Sequence, residues 1–312
     1  MATPGTAPPV PGRARARAFL FGAGVLFGLA AVFVKLACRP GGLSGGQATF
    51  VRFAVGLAAV VGLFAARPGT FRPVKRGLLA SRGLFGGAAA LLYYVAIELI
   101  PAGEATLLNN TFPIFAVLLS FVLLGERPTG HLALALAVAS AGVFLVLGGG
   151  HVTFGLGLGE LVGLASAVLG GAAVTSIRAL RATDNAPTIF FAMALGGLLV
   201  SVPFAFQAWP ADPLTWLAAG GAGLVAFVAQ LLMTEAYGAL SVAEAALWQQ
   251  LTPIASFVLA LGIGERLGGT AVLGVALGVA GVAYGSILGH RPAPDAPAAL
   301  REAAAGLGAE EP

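Results

Sequence analysis

The sequence predicts an all-α integral membrane protein whose ten transmembrane helices form two inverted five-helix repeats. Three observations carry that prediction: the composition, ten separate apolar stretches, and a long-range internal repeat. Of the 312 residues, 58% are hydrophobic and only 10% are charged, with a mean hydropathy of +0.93. A chain of this length with a water-facing surface would carry about a quarter charged residues. Most of this surface therefore faces something other than water.

A helix needs about 20 apolar residues to cross a hydrocarbon core of about 30 Å. In order, the predicted spans are Ala18–Ala37, Thr49–Ala66, Leu84–Ile100, Glu104–Leu124, Leu132–Leu147, Leu161–Ile177, Pro187–Phe206, Leu214–Tyr237, Val242–Ile263 and Ala271–Leu288. Turn-rich links such as Arg39-Pro-Gly-Gly, Gly148-Gly-Gly-His and Trp209-Pro-Ala-Asp-Pro separate them. The first span follows Arg13-Ala-Arg-Ala-Arg17, as a secretory signal would, and Leu36-Ala37-Cys38 resembles a lipoprotein cleavage box. Lys35 stands where such a box needs an aliphatic residue, and Ala18–Val34 is long for a signal core. It reads as a retained helix. Residues 1–17 and 289–312 are rich in Pro and Ala and are predicted to be disordered cytoplasmic tails.

Orientation follows from the cations. With the N-terminus in the cytoplasm, every one of the 17 Lys and Arg falls on the inner side except Lys35, Arg39, Arg52 and Arg266. That bias predicts a multi-pass protein of the cytoplasmic (plasma) membrane with both termini inside. It also accounts for the net charge of +4 without a nucleic-acid partner. Cys38 is the only cysteine, and His131, His151 and His290 lie far apart at segment ends. No spacing resembles a metal site, and no cofactor is expected.

The repeat is the most informative feature. Ala102-Gly-Glu-Ala-Thr-Leu-Leu-Asn-Asn-Thr-Phe-Pro-Ile114 recurs as Val242-Ala-Glu-Ala-Ala-Leu-Trp-Gln-Gln-Leu-Thr-Pro-Ile254. Glu104 matches Glu244, and Pro113 matches Pro253. After a one-residue gap, Gly125-Glu126-Arg127 matches Gly264-Glu265-Arg266. Upstream, Leu91-Leu92 and Ala96 match Leu231-Leu232 and Ala236, and Gly28…Lys35 pairs with Gly171…Arg178. The halves are 18–148 and 156–288. Five spans are an odd number, so the second half enters the membrane from the opposite side. That is a recurring plan of secondary transporters.

At these residues the chain resembles the EamA-type ten-helix members of the drug/metabolite transporter superfamily. The marks are Leu91-Leu92-Tyr93-Tyr94-Val95-Ala96, Glu104-Ala105-Thr106, Pro113 and Gly125-Glu126-Arg127, with their second-half partners. Glu98 and the Gln249-Gln250 pair are less typical. The resemblance implies secondary transport, often export, of amino acids, nucleosides or other metabolites. It also implies a central cavity lined by spans 1, 3, 4, 6, 8 and 9.

Pro113 and Pro253 sit inside spans, and a proline offers no N–H to the carbonyl four residues earlier. Those residues are Asn109 and Gln249, each followed by a second amide, Asn110 and Gln250. Polar groups at membrane depth must face protein or a wet cavity. The four amides are therefore expected to bind substrate, the Asn pair toward the outside and the Gln pair toward the cytoplasm. Interhelical hydrogen bonding is the plainer alternative. Tyr93, Tyr94, Trp248 and Gln230 are further candidates for substrate contact, against membrane packing. Glu235 is the candidate for proton coupling, because ionisable groups within spans are usually functional. Its alternative is an ion pair with Arg178 or Arg181.

Glu98, Glu104 and Glu244 stand at helix ends and read as capping, solvated carboxylates. The two Gly-Glu-Arg triplets read as helix stops with solvated charges. Lys35 and Arg52 read as snorkelling cations, with contact to an anionic substrate the minority reading. Gly274, Gly278, Gly281 and Gly285 form a small-residue seam, matched by Ala135, Ala139 and Gly142. Such a seam joins the halves or supports a dimer; both monomer and homodimer fit. A membrane-embedded enzyme lacks its nucleophile–base pair, an ATP-driven pump its phosphate loop, and a channel its repeated filter. A non-transporting scaffold leaves the amide pairs unexplained. The reading that remains is a secondary transporter of a small metabolite, embedded in the lipid bilayer and working by alternating access around a central cavity.

Overall fold

The computed structural model describes residues 10–100, 102–148, 157–260 and 269–289. The first half holds α1 (Arg13–Ala37), α2 (Gly45–Ala66), α3 (Arg76–Leu99), α4 (Ala102–Asn109), α5 (Phe112–Leu124) and α6 (Gly130–Gly148). The second holds α7 (Leu158–Leu180), α8 (Ala186–Ser201), α9 (Pro213–Ala236), α10 (Val242–Gln249), α11 (Leu251–Ala260) and α12 (Gly269–Leu288). Eight helical stretches are long and apolar enough to span a membrane, and Gly130–Val146 is a shorter one. The tandem pair α10–α11 stands where the remaining span belongs, which makes the molecule an all-helical, ten-span membrane protein.

Both interrupted spans break at the same place. The fourth ends at Asn109 and restarts at Phe112; the ninth ends at Gln249 and restarts at Leu251. Pro113 and Pro253 withhold the N–H that would have bridged each gap. A glycine of the other half meets each break. Cβ atoms at Gly170 and Gly171 of α7 would touch Phe112, Phe115 and Ala116, and one at Gly24 of α1 would touch Leu251 and Thr252. The long packing pairs are exchanged in the same way: α3 lies on α7, and α1 lies on α9.

The chain has two polar faces. On the terminal face, α1 begins, α2, α5, α7, α9 and α12 end, and α3 and α10 begin. On the distal face, the α1–α2 link meets the α8–α9 link. There Arg39 pairs with Asp212 at 2.5 Å, and Ser44 Oγ donates to Gln207 Oε1 at 2.9 Å. Gln47 Nε2 donates to the Ala208 carbonyl at 2.9 Å. Ser44 and Gln47 also form a reciprocal capping box that starts α2.

Several helices depart from their expected limits, three of them for a visible reason. α1 begins at Arg13 rather than Ala18, because Arg13 and Arg17 are held by Glu244, each at 2.7 Å. α3 begins at Arg76 rather than Leu84. The preceding N–H groups of Val74 and Lys75 are taken by the Asp184 carboxylate, at 2.8 and 3.4 Å. Arg82, expected in a cytoplasmic loop, is thereby carried inside the bundle and is 3% exposed. α8 gives way at Val202 to a short 3-10 turn through Phe206, where Pro203 cannot continue the ladder.

The small-residue seam closes within the chain. A Cβ at Gly281 would lie 2.7 Å from Ala139 N, and one at Gly142 would lie 2.6 Å from Gly274 O. The α6 and α12 backbones thus touch, and dispersion rather than water release holds them. A second seam, unseen in the sequence, joins α3 to α8: a Cβ at Gly87 would lie 2.8 Å from Gly197 Cα.

Candidate functional site

The amides at the two breaks gather in two clusters on different helices. In the first, Asn109 Nδ2 donates to Ser166 Oγ of α7 at 2.9 Å. Asn110 Nδ2 turns back to the Thr106 carbonyl at 2.8 Å. The Tyr93 hydroxyl meets Thr106 Oγ1 at 2.8 Å, so α3, α4 and α7 are tied at one level. In the second cluster, Gln249 Nε2 donates to the Tyr237 hydroxyl, and Gln250 Nε2 donates to Ser140 Oγ of α6 at 2.7 Å. Asn109 and Gln250 therefore each reach a serine of the opposite half.

Several buried polar atoms have no partner among the described residues. They are Gln250 Oε1, Trp248 Nε1, Gln230 Nε2 and Thr234 Oγ1. Trp248 packs where the two largest core clusters meet. Tyr94 adjoins the first cluster through the ring of Tyr93, at 5.4 Å between centroids, and is buried against Gly45 of α2.

The terminal face carries a set of ion pairs that the sequence reading took for solvated charges. Glu126 is not free in water. Its Oε1 accepts from Arg178 Nε at 2.8 Å, and its Oε2 caps the α10 N-terminus through Val242 N at 2.8 Å. Gly125 does stop α5, in the left-handed conformation at φ +67°. Arg178 Nη1 also donates to the carbonyls of Tyr237 and Gly238, at 3.3 and 3.2 Å. Glu244, likewise expected in water, is 5% exposed and holds both Arg13 and Arg17. Glu235 pairs with Arg181 at 2.8 Å. The side chains of Glu98 and Glu104, and the triplet Gly264-Glu265-Arg266, lie outside the described residues.

Glu126 and Glu244 thus tie α1, α5, α7 and α10 together across one face. The sequence reading missed these roles because the partners are distant along the chain. Ser140, Ser166 and Tyr237 escaped it for the same reason. A groove of about 580 Å³ opens elsewhere, between α3 and α8, lined by Phe71, Leu79, Leu84, Phe191, Leu195 and Leu199. It is largely apolar, with Arg76 and Thr188 also on its lining, and it contains none of the amides.

A ten-span bundle of two inverted halves, each with a helix broken at mid-span, defines the class of membrane transporters. The profile of the EamA-like transporter family matches residues 15–148 and 157–286. The chain belongs to that family. It is 29% identical over 163 residues to the pseudopaline exporter CntI of Pseudomonas aeruginosa, covering 51% of this chain and 57% of that protein. It is 26% identical over 192 residues to an uncharacterized transporter of Helicobacter pylori, covering 58% and 63%. The matches thus span about three-fifths of the length of these relatives. A solved crystal structure at 23% identity shares the fold, with a TM-score of 0.73 over 89% of this chain and 99% of its own.

Proposed function

We propose that this protein is a secondary exporter of a small polar metabolite, with Asn109, Asn110, Gln249 and Gln250 lining its path. One observation carries the reading. Two helices, one in each inverted half, are broken at equivalent prolines, and each break bears a pair of amides. Broken helices are where such transporters hold their solutes, because freed backbone and polar side chains then line a cavity instead of lipid. Tyr93, Tyr94, Gln230 and Trp248 are the further residues that we assign to solute contact on that path.

The cation bias places the terminal face in the cytoplasm. The Glu126 and Glu244 ion pairs then close the cytoplasmic side, and transport requires them to part. Export as the direction is supported by the Pseudomonas aeruginosa relative. Glu235, paired with Arg181 on the cytoplasmic side, is placed to lose that pair on protonation, which is how proton movement would loosen the closed face. The test is flux. Proteoliposomes containing only this protein are loaded with amino acids, nucleosides and organic acids, and efflux is followed by mass spectrometry. Saturable loss of a subset of solutes is expected. Efflux equal to that of protein-free vesicles for every solute rules the reading out.

A further inference from the structure

The link between α2 and α3 is strongly basic. Residues 67–76 carry Arg67, Arg72, Lys75 and Arg76 and no acid, and all four cations are exposed. Asp184 is the carboxylate that the described contacts bring to this link. It is buried, and its oxygens accept from the N–H groups of Val74 and Lys75 and from Thr183 Oγ1, so positive charge remains in excess at the surface. Two bonds pin the link to the start of α8. Arg72 N donates to Thr188 Oγ1 at 3.1 Å, and Asn185 Nδ2 donates to the Thr70 carbonyl at 2.7 Å. Phe71 also packs edge-on to Phe191 of α8, at 5.2 Å between ring centroids.

From this basic end the groove between α3 and α8 runs along both helices. Arg76 and Thr188 line it at the terminal face, and Leu195 and Leu199 line it deeper along the span. Gly83, Ala192 and Gly196 are too small to fill it, and the two helices touch beneath it: a Cβ at Gly83 would lie 2.5 Å from the Ala192 carbonyl oxygen. Leu84, Leu195 and Leu199 are exposed, so the groove opens at the surface of the bundle. From Thr188 to Leu199 the axis of α8 rises about 16 Å, at about 1.5 Å per residue. One leaflet supplies about half of a hydrocarbon core of about 30 Å. The groove therefore has the depth of one leaflet, with cations at its headgroup end.

We propose that this groove is a phospholipid site that selects an anionic headgroup. One acyl chain lies along Leu79, Leu84, Phe191, Leu195 and Leu199, and the headgroup sits on Arg76, with Arg72 and Lys75 adding to the field. Basic pockets between spans hold anionic lipids in this way. A small polar solute gains nothing from the apolar walls, and a lipid without net charge gains little from the cations; an anionic phospholipid uses both. The bound lipid bridges α3 of the first half and α8 of the second. The site needs only the membrane-spanning fold, so it stands or falls separately from the transport reading.

The test is native mass spectrometry of the purified protein, titrated with phosphatidylglycerol or phosphatidylcholine of identical acyl chains. The first bound lipid should favour phosphatidylglycerol by about tenfold or more, since each cation near an anionic surface is worth about fivefold in affinity. Arg76→Gln should lower that preference about fivefold, and the triple variant Arg72→Gln, Lys75→Gln, Arg76→Gln should abolish it. Leu195→Trp fills the groove and keeps the charge, so it should weaken both lipids; Leu199→Trp serves if Leu195→Trp does not fold. Arg127→Gln removes another cation of the terminal face, and Leu118→Trp alters an exposed leucine of α5. Neither should change the first lipid. Phosphatidylglycerol with a diazirine in its acyl chain should label α8 between Thr188 and Leu199. Equal affinity for the two lipids, a preference that survives the triple variant, or an equal loss in Arg127→Gln overturns the site, as does labelling confined to other helices. A dimer that forms with either lipid and is lost in Leu195→Trp places a second copy in the groove and overturns it too.

Discussion

Asn109 and Gln250 each spend an amide on a serine across the boundary between halves, through Ser166 and Ser140. Hydrogen bonds between membrane helices contribute about 1 kcal/mol or less, because the unfolded chain in lipid also finds partners. Asn109→Leu and Gln249→Leu should therefore lower stability by no more than about 1 kcal/mol while cutting flux at least tenfold per folded molecule. Paired unfolding and efflux measurements check this, and wild-type efflux in both variants would return the amides to packing. The prolines and their amides were legible in the sequence because the chemistry is local: a missing N–H acts four residues away. Glu126 was not legible, because its partner Arg178 lies 52 residues on and only the fold brings them together. Glu126→Gln leaves Arg178 without its anion and should cost about 1–3 kcal/mol, as an unsatisfied, partly buried charge does. An unchanged unfolding midpoint would mean that the pair is idle.

Among the elements, α3 separates what hydropathy can see from what it cannot. The run Arg76 to Gly83 looks like a loop because it carries two arginines, yet the helix starts at Arg76, just after two N–H groups held by Asp184. That carboxylate comes from the α7–α8 link, about 110 residues away, so no local pattern announces it. In a Cys38→Ser background, Arg76→Cys should react fast with a membrane-impermeant maleimide, and Arg82→Cys should react at least tenfold more slowly. Equal rates would restore the loop. The α6–α12 seam, by contrast, was plain in the glycine spacing, since close approach depends on small residues alone. Gly281→Leu would drive a side chain into the α6 backbone at Ala135 and Ala139 and should destabilise by about 1–3 kcal/mol, as overpacking does. A monodisperse variant that unfolds like wild type would contradict the direct backbone contact.

Across the whole molecule, the two faces differ in what holds them. The distal contact between Arg39 and Asp212 is exposed, and Asp212 is held down to about 2 by the Thr215 hydroxyl and N–H, with Arg39 adding to them. A carboxyl depressed in the folded state contributes stability above its ordinary value, near 3.9, and loses it only as pH falls through about 2. The distal contact should thus persist unchanged from pH 7 to pH 5, and any pH dependence of transport in that range must arise elsewhere. Inverted topology was legible from two features of the sequence, the repeat and the cation bias, because both are properties of the whole chain. Reporter fusions after Gly69 and Asn185 should lie in the cytoplasm, and one at Ala211 outside; an outside signal from Asn185 would undo the inversion. What the sequence could not show is the set of ion pairs on the terminal face, since they form only in the folded bundle. The most direct measurement is the distance between spin labels at Arg15→Cys and Arg127→Cys, in Cys38→Ser protein reconstituted in lipid. Alternating access predicts one short distance when Glu126 is present and a second, longer population in Glu126→Gln. A single unchanged distance in both proteins would contradict a closed face that the Glu126 pair keeps shut.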